Sequence, residues 1–165
     1  MTTAQKIMPC LWFDASAEQA VRHYVAIFRN ARIVSTTRYG AAGPGPAGAV
    51  MTVLFELEGQ RFLALNGGPR YAFTPAISLI VDCKTQEEID DLSAKLAEGG
   101  EQGPCGWLTD KFGLSWQIVP DIVPEIMQSG DAGKIDRAMR AVLKMKKLDI
   151  AKIEEAARSN EGAER

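Results

Sequence analysis

The sequence predicts an α+β protein made of two consecutive β-α-β-β-β modules followed by a helical C-terminal extension. Three observations carry this. A short apolar strand, a capped amphipathic helix and a run of strands occur in that order, and then occur again. The strand ends at Phe13 and Asp82 lie 69 residues apart, as do the helix starts at Ser16 and Thr85; a fixed period of this kind marks a duplicated unit. Beyond residue 120 the pattern turns helical. The paired modules are expected over 1–120, module 1 at about 7–67 and module 2 at about 76–120, with the extension over 121–165.

In module 1, "IMPCLWF" (7–13) reads as a buried strand closed by Asp14. In "SAEQAVRHYVAIF" (16–28), Ala17, Ala20, Val21, Tyr24, Val25 and Phe28 form the stripe of an amphipathic helix, and Ser16 with Gln19 makes a capping box. Strands follow at 32–39, 48–59 and 60–67, the second placing Met51, Val53, Phe55 and Leu57 on one face and Thr52 and Glu56 on the other. The link "GAAGPGPAG" (40–48) is a mobile loop on composition. Module 2 repeats the order: a strand at 76–82, then a helix at 85–100 with Thr85 and Glu88 as its capping box and Gly99-Gly100 as its stop. Short strands are expected at 102–105, 107–111 and 114–119.

A chain of 165 residues suits one domain or two small fused modules. It buries roughly 70% of its unfolded surface, so it needs neither disulfides nor a structural metal to fold. A net charge of −2 gives no field to recruit nucleic acid or an anionic membrane. Cys10, Cys83 and Cys105 are odd in number and lack a C-x-x-C, which points to free thiols in a reducing compartment. The N-terminus has no apolar signal region, and no apolar run approaches the ~20 residues of a bilayer span, so a cytoplasmic location is expected.

The extension carries Ile135, Ala138, Met139 and Val142 as one stripe, with Asp149 capping a last helix. From Asp131 to Lys152 it holds seven basic and three acidic residues, a local +4. It reads either as a docking helix for an acidic partner or nucleic acid, or as an amphipathic element packed on its own chain or a twin subunit with its lysines solvated.

Motifs that would name a reaction are missing: there is no G-x-G-x-x-G leading from a strand into a helix, no G-x-x-x-x-G-K, no H-E-x-x-H and no G-x-S-x-G. His23, the single histidine, falls about 130° from the centre of the helix stripe and is expected to face solvent. In "CGWLTDKFGLSWQIVP" (105–120), Cys105 is a weak candidate nucleophile with Lys111 as a neighbour, against an incidental thiol. Asp110 is a second weak catalytic candidate, against a hairpin or salt-bridge role. Alternation puts Leu114, Trp116 and Ile118 on one face, with the Trp116 indole needing a partner, and Ser115 and Gln117 on the other.

The stretches "PCLWFDASAEQAVRHYVAIF", "FLALNGGP" and "CGWLTDKFGLSWQIVP" resemble the PhnB-like branch of the vicinal oxygen chelate superfamily, which includes glyoxalase I, bleomycin and fosfomycin resistance proteins and extradiol dioxygenases. The likeness covers about residues 7–120, and "KIDRAMRAVLKMKKLDIAKIEEA" is similar to extensions on some members. It implies two modules forming a curved mixed sheet of the glyoxalase/bleomycin-resistance type, and a homodimer whose tail clasps the partner. Metal-dependent members hold a divalent ion in a sheet-lined cup, and carried over by position its ligands fall on Pro9, Ala64, Ala76 and Gln117. Proline and alanine have no side-chain donor, so no metal and no cofactor are expected. The cup lining is expected to include Leu11, Phe13, Asn66, Ser78, Ser115 and Gln117, suited to a small organic ligand. The alternative is an enzyme: a metal-dependent lyase, isomerase or dioxygenase, or the 3-demethylubiquinone-9 3-methyltransferase whose name the branch carries. A methyltransferase using S-adenosylmethionine would normally show a glycine-rich turn after the first strand of an α/β sheet, and none is present.

Overall fold

The computed structural model describes residues 5–159. The chain divides into two compact units, Met1–Phe73 and Thr74–Arg165. The first holds β1 (Cys10–Phe13), α1 (Ala17–Ile27), β2 (Ala31–Arg38), β3 (Val50–Leu57) and β4 (Gln60–Asn66). The second holds β5 (Ser78–Cys83), α2 (Gln86–Leu96), β6 (Glu101–Gln102), β7 (Trp107–Thr109) and β8 (Ser115–Pro120). It continues into α3 (Ile122–Met127), α4 (Ala132–Val142) and α5 (Ile150–Arg158), so the helical extension lies within the second unit. Each unit has one mixed four-stranded sheet, ordered β1-β4-β3-β2 and β5-β8-β7-β6, with the module's first strand parallel to its last.

In the first unit, Leu11, Val53, Phe55, Phe62 and Ala64 share one sheet face by register and are buried, with Tyr24 of α1 tilted over Phe55 at 6.4 Å. The β3–β4 hairpin turns through Glu58 and Gly59, both at positive φ, as a two-residue hairpin requires. Strand β1 starts at Cys10, three residues later than expected, because Pro9 has no N–H for the ladder; its carbonyl still accepts the Leu63 N–H at 3.0 Å. The first capping box does not form. Ser16 makes no side-chain cap, and Asn66 Oδ1 accepts the Ala17 N–H at 2.8 Å instead. The 40–49 loop folds back on Tyr39, where a Cβ on Gly45 would come within 2.4 Å of the ring. His23 is half-buried beside Tyr24, not turned wholly to solvent.

In the second unit, α2 is capped as its sequence requires: Thr85 Oγ1 accepts the Glu88 N–H, and the Glu88 carboxylate accepts the Lys84 N–H. Its buried Ile89, Leu92 and Leu96 belong to the core with Leu108, Trp116 and Ile118. The strand expected at 102–105 stops at Gln102, since Cys105 (φ 55°) and Gly106 (φ 81°) turn the chain after Pro104.

The extension packs on its own unit. Ile126, Ala138, Val142, Leu148, Ile153 and Ala157 form one buried cluster, with Cys105 and Met145 against it. The Cys105 and Gly106 N–H groups donate to the Met145 and Lys146 carbonyls at 2.8 and 2.7 Å. Gln86 completes the docking: its Nε2 donates to the Leu148 carbonyl (3.1 Å), and its Oε1 accepts the Ile150 N–H (2.9 Å). Asp131 and Asp149 cap α4 and α5.

Gln86→Ala is expected to cost about 1–3 kcal/mol and to speed amide exchange over 143–158 while leaving the first unit unchanged, read by hydrogen-exchange mass spectrometry. Burial, helped by the carboxylates of Glu88, Asp121 and Asp82, pushes the Cys83 thiol from its ordinary 9.0 up to about 12. The native state therefore keeps a proton that the unfolded chain releases. This contribution is fully present below about pH 9 and is lost at about 1.4 kcal/mol per pH unit between there and pH 12. Urea unfolding of wild type and Cys83→Ala at about pH 8 and 10.5 should show the extra alkaline slope in the wild type alone.

Candidate small-molecule site

One helix covers each sheet, so the opposite face of each is left open. On the first sheet this face carries three cross-strand rows: Arg61–Glu56–Arg32, Cys10–Leu63–Leu54–Ser35, and Trp12–Leu65–Thr52–Thr37. The charged row is ion-paired, with Glu56 3.1 Å from Arg32 and 3.6 Å from Arg61. The aromatic row is anchored by Trp12, whose indole donates to the Gly68 carbonyl at 2.9 Å and whose ring meets Tyr71 edge-on at 5.0 Å. A Cβ on Gly67 would lie 2.3 Å from the Trp12 ring, which explains a glycine there. The neighbouring Cys10 thiol is shifted up by burial, which holds it protonated.

On the second sheet, register places Ser78, Ser115 and Thr109 in one row and Ile80, Gln117 and Trp107 in the next. Gln117 Nε2 donates to Ser78 Oγ at 2.8 Å, joining the two rows. Ile80 is 61% exposed, while Trp107 and Gln117 are half-buried. The result is a small polar centre flanked by an aliphatic and an aromatic side chain, able to hydrogen-bond and pack a flat organic group.

Of the residues selected from sequence, Ser78, Ser115 and Gln117 come together on this side of the sheet, though Ser115 itself is buried. Leu11 and Phe13 do not lie on the corresponding face of the first sheet: they are 4% and 2% exposed, on the face under α1. The reason is a one-residue difference. Three residues separate β1 from α1 but only two separate β5 from α2, so the helices repeat at 69 while the buried strand positions Leu11 and Phe13 match Val81 and Cys83. One residue turns every side chain to the other face. Asn66 stands apart, in a cleft of about 620 Å³ at the start of α1, lined also by Asp14, Arg38 and Tyr39. There its amide is committed to the Ala17 N–H and the Val50 carbonyl. Alternation about the true buried face would have selected Trp12, Trp107 and Ile80.

Asp110 is 3% exposed. Its Oδ1 accepts the Phe112 and Leu114 N–H groups at 2.8 and 3.0 Å, and its Oδ2 accepts the Trp116 indole at 2.9 Å. The carboxylate ties the β7–β8 hairpin and supplies the partner that Trp116 needs. Cys105 sits at the turn where the extension docks. At the positions where the resemblance places metal ligands, Pro9 offers only a carbonyl already bonded to Leu63, Ala64 is buried under α1, Ala76 is in an exposed turn, and the Gln117 amide is bonded to Ser78. Among the described residues no three His, Cys, Asp or Glu side chains gather. This donor set does not fit a divalent ion.

Asp110→Ala is expected to lower stability by about 2–5 kcal/mol, because three donors, two of them in buried bonds, lose their acceptor. Asp110→Asn, which keeps Oδ1 but no longer accepts from the indole, should cost about half as much; urea unfolding followed by Trp fluorescence measures both.

Residues 5–119 match the family model described as 3-demethylubiquinone-9 3-methyltransferase, a stretch ending before α3. A PhnB protein from Bacillus cereus is 41% identical over 70% of this chain and 99% of its own, with a TM-score of 0.63. PA1353 from Pseudomonas aeruginosa (22% identity, 72% of this chain and 100% of its own, TM-score 0.56) shares the fold. So does the fosfomycin resistance protein FosX from Mesorhizobium loti (11% identity, 72% and 92%, TM-score 0.51). No curated protein matches the chain. The chain belongs to the 3-demethylubiquinone-9 3-methyltransferase family, to which its match with a PhnB protein also points.

Proposed function

We propose that the chain binds a small organic molecule without a metal, as a cytoplasmic homodimer. The observation that carries this is the open face of the second sheet, where the Ser78–Gln117 pair sits between Ile80 and Trp107. A few hydrogen-bonding groups within an apolar surface orient an organic ligand. The half-exposed Trp12, Leu63 and Leu65 of the first sheet supply a second surface of the same character. The dimer is supported by aliphatic side chains left exposed on outer strands, Ile33 and Val34 on β2 and Ile80 on β5. Among the described residues no helix is long and apolar enough to cross a membrane.

Protein purified without chelators is expected to carry only substoichiometric metal, and aromatic or glycopeptide compounds in a thermal-shift screen are expected to raise its melting point. A ligand at 100 times its Kd stabilises the native state by about 2.7 kcal/mol. Gln117→Ala should weaken such a ligand about tenfold, the worth of roughly one hydrogen bond. Stoichiometric zinc, nickel, manganese or iron, or a shift with S-adenosylmethionine alone, would overturn the proposal in favour of an enzyme.

A further inference from the structure

Three of the extension's seven basic residues, Lys134, Arg137 and Arg140, lie along α4, and the other four gather beyond it. Lys144, Lys146, Lys147 and Lys152 line one notch of about 430 Å³ between the α4–α5 turn and α2, together with Gln86, Asp90, Met145 and Asp149. Four ammonium groups against two carboxylates leave a net charge of +2 in a small volume. Both carboxylates are engaged: Asp90 holds Lys147 at 2.5 Å, and Asp149 lies 3.4 Å from Lys152 while capping α5. Lys144 and Lys146 have no carboxylate partner among the described residues.

The turn that presents them is held rigidly. The Met145 and Lys146 carbonyls accept the Cys105 and Gly106 N–H groups, Leu148 is 1% exposed in the core, and Gln86 clasps Leu148 and Ile150. The backbone that carries these lysines is therefore ordered before any ligand arrives, so binding has only their side chains left to immobilise. A long nucleic acid or a membrane favours a broad basic track. Here the lysines fall within nine residues, 144–152, around a concave space.

We propose that this notch is a binding site for a compact polyanion, a di- or triphosphate chain, whose oxygens take charge-assisted hydrogen bonds from Lys144 and Lys146 and are flanked by Lys147 and Lys152. The phosphate chain is supplied by inorganic polyphosphate or by a nucleotide. Isothermal titration with inorganic triphosphate and with ATP separates these sources: equal affinities assign recognition to the phosphates alone, and a gain with ATP adds a contact to the base. The double variant Lys144→Gln/Lys146→Gln is expected to bind triphosphate at least tenfold more weakly. Lys95→Gln/Lys134→Gln, which removes the same charge elsewhere, should bind within twofold of wild type. Affinity should also fall as salt rises. The proposal is overturned if triphosphate fails to bind at low ionic strength, or if both double variants lose affinity equally. It also fails if duplex DNA or anionic vesicles bind and triphosphate does not displace them.

Discussion

A four-stranded sheet covered by one helix can bury only one of its two faces, and this limit organises both units. Under α1 lie Leu11, Val53, Phe55 and Ala64, all buried. The alternating neighbours Trp12, Leu54, Leu63 and Leu65 are as apolar, yet remain half-exposed. Burying such surface is worth about 25 cal/mol per Å², so these side chains hold a driving force that intramodular packing leaves unused. The open face of the second sheet has the same status, with Ser78 and Gln117 set among Ile80 and Trp107.

The residue types that suggest chemistry are instead used as ties. Asp110 satisfies two backbone donors and an indole, Asn66 joins the start of α1 to the end of β3's entry at Val50, and Gln86 fastens the extension. Each is a polar side chain in a crowded place whose hydrogen-bonding capacity is consumed locally, as burial demands. A carboxylate holding three donors is fixed in geometry, which suits it to tying a hairpin.

The extension shows how one segment can serve two ends. Its apolar stripe closes a core of its own with Leu148 at the centre, and the same fold brings lysines from a nine-residue stretch, 144–152, around one notch. Helix periodicity separated the two faces in sequence; the turn between α4 and α5 then concentrated one of them.

What the sequence determined by itself is the local and the periodic. The doubled β-α-β-β-β order, the Thr85 cap with Glu88, the Asp149 cap, the alternation that sets Gln117 opposite Trp116 and the demand of the Trp116 indole for a partner were all legible, because each rests on residues a few positions apart. The tertiary structure alone decided which face of β1 is covered, because a connection one residue longer than its counterpart inverts every side chain of that strand. It also decided that Asn66, not Ser16, meets the first helical N–H, and that Gln86 receives Leu148 and Ile150. Those partners are brought together by the path of the chain through space, over separations at which spacing in sequence carries no information.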